Sequence, residues 1–576
     1  MADENEAKSE DKAAVETNTS EKKVPEEEMP PTYDEANPLT GAEESSVKIT
    51  SNANETKIDI GKEKEAFEGL TKEELMKYAN DPYWVRLRWI LFIFFWIIWV
   101  AMLVASIVII IYAPKCPSPE PKEWWQKNSM YKIDVKNFDD GTLNGLKNNL
   151  DLLVESGVGT IYIGSFFQTT GKGTRADITD YQSVDARLGS LEDWKSLVSA
   201  LMDRDQKVVI DFIPNHTSEH HEWFEQSVSE LGKFSDFYIW NEGGGRSSPP
   251  ATWPRSAWTW NADRGAWYLH RAGAGYPDLN LKNPEVIKEL EDVMKFWIDT
   301  GVNGFVVNDI EILADADDTS DANILSRFRD TVDATSEDTG IPCVLMAASS
   351  DNLDSVVEMY GDVNNAGIGN KIQLPLYSQQ VASPKSASDL NEKLSSFLSQ
   401  MPNAAWPSFA FSSLTAGEKM TDAMTMLKML LPGTPVFTPG QELGLDSWSR
   451  QTAEEQIAAE ESHLKVFSAL ASKMRHQESI LFGEINQNTT FVIDNVFGLT
   501  RVKKGNPGYL LLINFGDTDA EVDVSEAKYV PEGIRLMTRS VGETETEEAE
   551  IMRYESTSVL VKPSEGRVFT FVPKYD

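Results

Sequence analysis

The sequence has only two cysteines, Cys116 and Cys343, among its 576 residues. A framework of disulfides is therefore excluded, and a folded domain of this length must be held by its own hydrophobic core. Positive charge is also scarce, because 53 Lys and Arg face 91 Asp and Glu, which gives a formal net charge of −38. This balance argues against nucleic acid as a partner and against a polybasic attachment to anionic lipid.

Long hydrophobic runs are missing except between Trp89 and Tyr112, where the chain carries no charge. As a helix this run would exceed the ~30 Å thickness of a bilayer core. We predict a single transmembrane helix over 89–112, which begins too far from the N-terminus to be a cleaved signal. Arg86 and Arg88 lie next to the span and favour a cytoplasmic N-terminus. Two small residues four apart in the span, Ala101 and Ala105, predict a face on which another helix can pack.

Large apolar residues are scarce before the span, so residues 1–66 are predicted to be a disordered, acidic tail. The tail contains a PPxY string, Pro30-Pro31-Thr32-Tyr33, of the kind that WW domains bind; a chance match is the alternative. If the string is used, its partner would be a ubiquitin ligase with WW domains. A juxtamembrane helix is predicted over 67–88, with Thr71 and Glu74 as a capping box, and a proline-rich stalk over 113–123.

From residue 124 to about 480, short strand-like runs alternate with amphipathic helical stretches. This alternation predicts an α/β ectodomain with a parallel sheet, and the number of units favours a (β/α)₈ TIM barrel. The long connection over about 215–283 predicts an inserted subdomain. Residues 481–576 show the period of two expected of a C-terminal antiparallel β domain. The strand-like runs begin at 131, 160, 208, 304, 344 and 435, and the helical stretches include Leu191–Met202, Pro284–Thr300 and Ala453–Met474.

Three motifs resemble the α-amylase family of glycoside hydrolases, particularly its maltase-like branch. They are Asp211-Phe212-Ile213-Pro214-Asn215-His216, Pro277-Asp278-Leu279-Asn280 and Leu431-Pro432-Gly433-Thr434-Pro435. The resemblance implies a (β/α)₈ barrel, a subdomain after the third strand and a C-terminal β-sandwich. It also implies that Asp177, Asp211 and His216 are what remains of a sugar pocket.

Hydrolysis in that family needs two carboxylates across the scissile bond and a third that holds the sugar. The resemblance places Asn308 at the nucleophile position, Ala348 at the acid position and Ser412 at the third. An amide, a methyl group and a hydroxyl cannot replace three carboxylates, so we predict a barrel without catalysis. The alternative is a membrane-anchored α-glucosidase. No cofactor and no metal are predicted.

A second resemblance is to the heavy chains of heteromeric amino-acid transporters, through Phe67–Leu75, Trp84-Val85-Arg86 and Ala113-Pro114-Lys115-Cys116. It implies a type II protein of the plasma membrane, with a cytoplasmic N-terminus and an extracellular barrel. It also implies a non-catalytic subunit that brings a multispan light chain to the surface, through helix contact and a disulfide. A role as adhesion or signalling receptor is a further alternative.

The two cysteines have different expected roles. Cys343 opens an apolar strand and is predicted to be a buried thiol, which leaves Cys116 without an intramolecular partner. An intermolecular disulfide through Cys116 is predicted, and the alternatives to a light chain are a homodimer through the same cysteine or an unpaired thiol. Two sequons follow the span, at Asn215 and Asn488, and Asn488 is the better candidate for glycosylation because it lies beside a turn.

Overall fold

The computed structural model describes most of the chain from residue 71 onward. The described residues are 71–112, 121–164, 166–171, 177–243, 246, 255–308, 310, 321–348, 377–378, 384–401, 406–411, 418–486, 488–542 and 553–575. The chain divides into two units, Met1–Pro117 and Ser118–Asp576.

In the first unit the structure describes residues 71–112, which form two helices, α1 (Lys72–Ala79) and α2 (Pro82–Tyr112). The carboxylate of Glu74 accepts the Thr71 N–H at 3.2 Å, which closes the predicted capping box. Helix α2 has 31 residues; its most apolar stretch of 18 residues has a mean hydropathy of 2.9, and none of that stretch is buried. At 1.5 Å per residue it is about 46 Å long, enough to cross a bilayer. Ala101 and Ala105 are exposed on it.

The second unit is built around eight parallel strands. Their order across the sheet is β10-β9-β5-β2-β1-β13-β12-β11. The predicted (β/α)₈ barrel is thereby confirmed. These strands are β1 (Met130–Ile133), β2 (Thr160–Ile163), β5 (Lys207–Phe212), β9 (Gly304–Val307), β10 (Val344–Ala347), β11 (Tyr377–Ser378), β12 (Ser408–Phe409) and β13 (Thr434–Phe437). A small antiparallel pair, β3 (Phe167–Thr169) and β4 (Ile178–Val184), follows β2.

Helices lie between the strands because each buries one apolar face. In α8 (Pro284–Asp299) the buried side chains recur every three or four residues, from Val286 to Ile298. Asn283 caps this helix by accepting the Glu285 N–H at 2.9 Å. The other helices are α3 (Trp124–Lys127), α4 (Leu143–Asn148), α5 (Leu150–Glu155), α6 (Leu191–Met202), α7 (Glu222–Val228), α9 (Asp321–Thr339), α10 (Ala387–Gln400), α11 (Thr421–Leu430), α12 (Arg450–Ala458), α13 (His463–Ser468) and α14 (Glu478–Phe482).

The prediction of a single helix over Ala453–Met474 is wrong. Helix α12 ends at Ala458, and α13 begins at His463 and continues as a π-helical turn over Ala469–Met474. Ser462 interrupts the stretch because its hydroxyl caps α13 by accepting the Lys465 N–H at 3.2 Å. A cap of this kind requires extended backbone, which the helical pattern alone does not reveal.

Between β5 and α8 lies the inserted segment, with α7 and a three-stranded antiparallel sheet in the order β6-β8-β7. Its strands are β6 (Trp240–Asn241), β7 (Trp258–Asn261) and β8 (Ala266–Leu269). Two isolated backbone bridges, His216 to Asp278 and Tyr238 to Leu279, connect its beginning, middle and end. The insertion is therefore attached at the carboxyl end of β5.

The C-terminal β domain is antiparallel, as predicted. A six-stranded sheet has the order β14-β15-β16-β21-β18-β19, and a two-stranded sheet pairs β17 with β20. Apolar side chains of both sheets, such as Leu510, Phe569 and Val561, share one core. The strands are β14 (Thr490–Ile493), β15 (Val496–Arg501), β16 (Gly508–Asn514), β17 (Ala520–Val522), β18 (Gly533–Arg539), β19 (Arg553–Glu555), β20 (Val559–Val561) and β21 (Gly566–Phe571).

Candidate functional site

Polar side chains meet where three neighbouring barrel strands end. Strand β5 pairs with β2 on one side and with β9 on the other, with Asp211 opposite Val306. Asp211 Oδ1 accepts two hydrogen bonds. One comes from the Tyr162 hydroxyl, and the other, at 2.8 Å, comes from the side-chain amide of Asn308. The carboxyl ends of barrel strands are where enzymes of this architecture carry their active sites. We call Tyr162, Asp211 and Asn308 the barrel-mouth cluster.

Asn308 acts as a hydrogen-bond donor in this cluster. Its amide nitrogen also donates to the Val306 carbonyl at 3.0 Å, and its backbone N–H donates to the Phe212 carbonyl at 2.9 Å. Asn308 and Asp211 are each only 2% exposed. The side chain is thus fixed as a donor beside a carboxylate, the opposite of what a carboxylate nucleophile at this position would offer.

A cation lies close to the cluster. The Lys132 ammonium stands 4.8 Å from the centre of the Tyr162 ring, in cation–π geometry. Lys132 and Tyr162 are not among the site residues predicted from the sequence. Alternation along β1 and β2 indicates on which side of the strand each side chain lies, but not which residues of other strands it contacts.

Of the two other predicted catalytic positions, the structure describes one. Ala348 follows β10 directly, and its N–H donates to the Val307 carbonyl at 2.8 Å. Its methyl side chain can neither donate nor accept a proton. Ser412 lies outside the described residues, as do Asp309 and Glu311, the acidic residues that follow Asn308.

Asp177 and His216 both make hydrogen bonds to segments that lie outside the barrel strands. Asp177 accepts from Ser218 at 2.6 Å and from the Thr170 hydroxyl. The His216 carbonyl accepts from the Tyr181 hydroxyl at 3.0 Å, and the His216 backbone pairs with Asp278. Both residues therefore connect the segment around β3 and β4 with the insertion that follows β5.

Arg271, which the sequence analysis did not single out, links the second motif to the first. Its guanidinium donates to the Asn215 side-chain oxygen at 2.9 Å and to Asp278 at 2.5 Å. The Asn215 amide nitrogen in turn donates to Asp278 at 3.2 Å. Burial raises the pKa of Asp278, and the Arg271 charge opposes that rise. With both ends of its amide engaged and 0% exposure, Asn215 is sealed within the fold.

The remaining predicted residues are distributed as follows. Cys343 is buried, and burial raises the pKa of its thiol to about 12. Asn488 is exposed in the turn before β14. Within the described residues, no group of three or more His, Cys, Asp and Glu side chains is arranged to hold a metal ion. Cys116, Pro30, Pro31 and Tyr33 lie outside the described residues.

Comparisons with known proteins agree with this architecture. A sequence model described as Alpha amylase, catalytic domain, matches residues 120–478, more than half of the chain. The chain belongs to the α-amylase family. Among solved structures, the trehalose-6-phosphate hydrolase of Bacillus licheniformis superimposes with a TM-score of 0.65 at 17% identity, over 78% of this chain and 100% of that one. An identity this low shows a shared fold only.

The resemblance to transporter heavy chains is confirmed as well. A model described as Solute carrier family 3 member 2 N-terminus matches residues 55–131, which include α1 and α2. The amino acid transporter heavy chain SLC3A1 of Homo sapiens is 30% identical over 434 residues, 66% of this chain and 62% of that protein. The chain thus spans about three-fifths of the length of this heavy chain. Maltase A1 of Drosophila melanogaster is 24% identical over 78% of this chain and 96% of the maltase. One apolar helix and these relatives together fit a membrane-anchored member of the α-amylase family.

Proposed function

We propose that this protein is the non-catalytic heavy subunit of a heteromeric amino-acid transporter. The observation that carries the proposal is the hydrogen-bonded amide of Asn308 at the nucleophile position of an amylase barrel, in a chain whose helix α2 is long and apolar enough to span a membrane. The match of residues 55–131 to a solute carrier subunit supports the same role. A protein with one span cannot build a substrate site in the middle of a bilayer, so the amino acid must pass through another chain.

The partner we propose is a multispan light chain, attached by a disulfide from Cys116 and by contact along α2. Burial of Cys343 supports this proposal, because it leaves Cys116 as the cysteine able to form an intermolecular bond. The exposed small residues Ala101 and Ala105 would let a second helix approach closely.

The orientation we propose is type II, in the plasma membrane. Arg86 and Arg88 begin α2 on the cytoplasmic side, and the barrel and β domain lie outside the cell. The acidic tail over 1–66 then faces the cytosol, where Pro30, Pro31 and Tyr33 could bind a WW-domain ubiquitin ligase.

The experiment is a pull-down of the full-length protein from detergent-solubilised cell membranes, run on a non-reducing gel. We expect a band heavier than this chain that contains a second, hydrophobic polypeptide. Cys116→Ser should remove the band, yet part of the association should survive through α2. Cys343→Ala is the matched control and should leave the band in place. A band that contains only this chain, or one that persists in Cys116→Ser, would overturn the assignment.

The alternative function is that of a membrane-anchored α-glucosidase, and the similarity to Maltase A1 is the observation that supports it. It is tested by incubating the purified full-length protein with maltose and with sucrose. We expect no glucose release above the level of a buffer control, because Asn308 and Ala348 provide neither nucleophile nor acid. Turnover that copurifies with the protein would contradict the non-catalytic role.

A further inference from the structure

Helix α10 of the barrel and strand β14 of the β domain line a surface cleft of about 500 Å³. This volume falls within the range of roughly 300–1,000 Å³ that small-molecule sites occupy. The cleft is far from the barrel-mouth cluster in sequence and uses none of its residues. Its lining consists of Asn391, Glu392, Ser395, Ser396, Ser399 and Thr490.

The lining is rich in hydroxyl groups because of how α10 is patterned. The buried face of the helix carries Ala387, Leu390, Leu394 and Phe397. The face toward the cleft places serines at 395, 396 and 399, where exposed helix positions more commonly carry Lys, Glu or Arg. A hydroxyl group both donates and accepts hydrogen bonds, so this wall complements a ligand that is itself rich in hydroxyls.

One acceptor in the wall has no donor within the described residues. The side-chain oxygen of Asn391 is shielded from solvent and receives no hydrogen bond there. Leaving a buried acceptor unsatisfied is unfavourable, and a ligand with an N–H or O–H group would supply the missing hydrogen bond. The wall is therefore suited to a polar ligand.

A glycosylation sequon opens onto this cleft. Thr490, which lines the cleft, is also the hydroxyl residue of the sequon Asn488-Thr489-Thr490. Asn488 itself is exposed, and its backbone N–H is fixed by the Asn486 side chain at 2.9 Å. Two residues of chain span at most about 7 Å, so the backbone of Asn488, whose side chain would carry the sugar, lies within that distance of the Thr490 backbone.

We propose that this cleft holds the first sugars of an N-linked glycan carried by Asn488. The proposal rests on the outward orientation proposed above and on glycosylation of Asn488. The sugar next to the asparagine, an N-acetylhexosamine, supplies hydroxyls for Ser395 and Ser399 and an amide N–H or hydroxyl for Asn391. Because the glycan is tethered beside the cleft, even weak contacts are made at a high effective concentration. The glycan then bridges the barrel and the β domain.

The test compares glycan release from the native, full-length protein produced in a glycosylating cell line. Wild type, Ser395→Leu/Ser399→Leu and Ser388→Leu are treated with a peptide-N-glycosidase without denaturant, and the rate of the mobility shift is measured. Leucine is a strong helix former, so α10 should persist in both variants. Ser388 is exposed on the same helix but does not line the cleft, and makes a matched control.

We expect slow release from the wild type and from Ser388→Leu, and release about tenfold faster from Ser395→Leu/Ser399→Leu, as for the loss of one or two hydrogen bonds. Suppose that Asn488→Gln abolishes the mobility shift but the three proteins release their glycan at equal rates. Asn488 is then glycosylated, but the proposal that the cleft binds its glycan is refuted. If Asn488→Gln has the mobility of the wild type, the sequon is unoccupied and the proposal fails with it. Thermal unfolding of the three proteins identifies a variant whose faster release comes from general loosening, which would also count against the cleft.

Discussion

At the scale of single residues, Asn308 holds the Asp211 carboxylate at the barrel mouth. Its amide donates to Asp211 at 2.8 Å, so Asn308→Asp would place two carboxylates at hydrogen-bond distance. Two such groups cannot easily ionise together, so in this variant one carboxyl of the pair must keep its proton to a pKa above the ordinary carboxyl value. Raised carboxyl pKa values contribute stability that is present at low pH and lost as pH rises.

We therefore expect Asn308→Asp to lower the free energy of unfolding by about 1–3 kcal/mol at pH 7.5, and by clearly less at pH 5. It should not hydrolyse α-glucosides, since Ala348 still supplies no acid and catalytic groups act as a unit. Denaturant titrations at the two pH values measure the effect. Asn308→Ala, which loses the donor without adding a charge, is the control and should show no such pH difference.

Glu442 is a second residue with a pH signature. The Tyr131 hydroxyl donates to it at 2.5 Å and the Gly440 N–H at 3.0 Å, yet burial dominates and raises the pKa of Glu442 from 4.5 to about 7. Since the folded-state pKa is raised, the contribution of Glu442 to stability is present below pH 4.5 and is lost as pH rises through about 7.

We expect the unfolding free energy to fall by up to about 3 kcal/mol between pH 4.5 and 8 through this one group. Glu442→Gln cannot ionise and should remove that part of the slope, although an amide has one acceptor oxygen for two donors. Thermal melts across the pH range, wild type against variant, make the comparison. A slope that is unchanged in Glu442→Gln would contradict the assignment.

The residues at the barrel mouth were only partly predictable from sequence. Asp211 and Asn308 could be placed at strand ends, because strand-like runs and family motifs mark those ends. The bond between them could not, since it depends on β5 and β9 being neighbours in the sheet. Arg271 donates a hydrogen bond to Asn215, which is 56 positions away in the sequence, and local sequence patterns do not predict contacts over such a separation.

At the scale of elements, the carboxyl end of α11 is stabilised by two buried arginines. The last carbonyls of a helix have no partner within it, and cations near that end also interact favourably with the helix dipole. Arg501 donates to the Leu430 carbonyl at 2.6 Å, and Arg475 donates to the Met429 carbonyl at 3.3 Å. Burial lowers the pKa of each arginine to about 9. Because Arg501 lies in β15, it ties the β domain to the barrel.

Arg501→Met should therefore lower the free energy of unfolding by about 2–4 kcal/mol, because the carbonyls of Leu430 and Ile480 lose a charged donor. Arg501→Lys should recover only part of this, since an ammonium cannot reproduce the planar fork. Arg535→Met, at an exposed position of β18, is the matched control and should change stability by less than about 0.5 kcal/mol. Equal melting temperatures for Arg501→Met and Arg535→Met would refute the role of the buried arginine.

Elements of different length were predicted with different success. Helix α6, over Leu191–Met202, has the bounds that its apolar period indicates, because 12 residues carry more than three turns of pattern. Strands β11 and β12 have two residues each, which is too short to show an apolar period; β12 could be located only through the family resemblance around Trp406. They are strands only because the neighbouring strand β13 pairs with β12, and β12 with β11.

At the scale of the whole molecule, the two sequons report both the orientation and the fold. Both follow α2 in the chain, so an extracellular barrel exposes both to the glycosylation machinery. Only Asn488 is exposed in the folded protein, whereas Asn215 is buried with Arg271 and Asp278 on its amide.

We expect Asn488→Gln to abolish the mobility shift produced by a glycosidase, and Asn215→Gln to leave it unchanged. The second variant should instead lower the melting temperature, since a longer side chain cannot keep both hydrogen bonds. Gel mobility and thermal unfolding together separate the two effects. A shift that survives in the double variant would contradict the assignment of both sequons.

Helix α2 starts at Pro82, seven positions before the uncharged run, and continues without a break to Tyr112. The angular positions of side chains at its two ends are therefore fixed relative to each other, because each residue turns an α-helix by about 100°. Arg86 and Ala101 are 15 positions apart and lie within about 60° of each other around the axis. If lipid headgroups fix the direction in which Arg86 points, they also fix the direction in which the face with Ala101 and Ala105 points. One extra residue inserted between them would rotate that face by about 100° while leaving hydropathy and length almost unchanged.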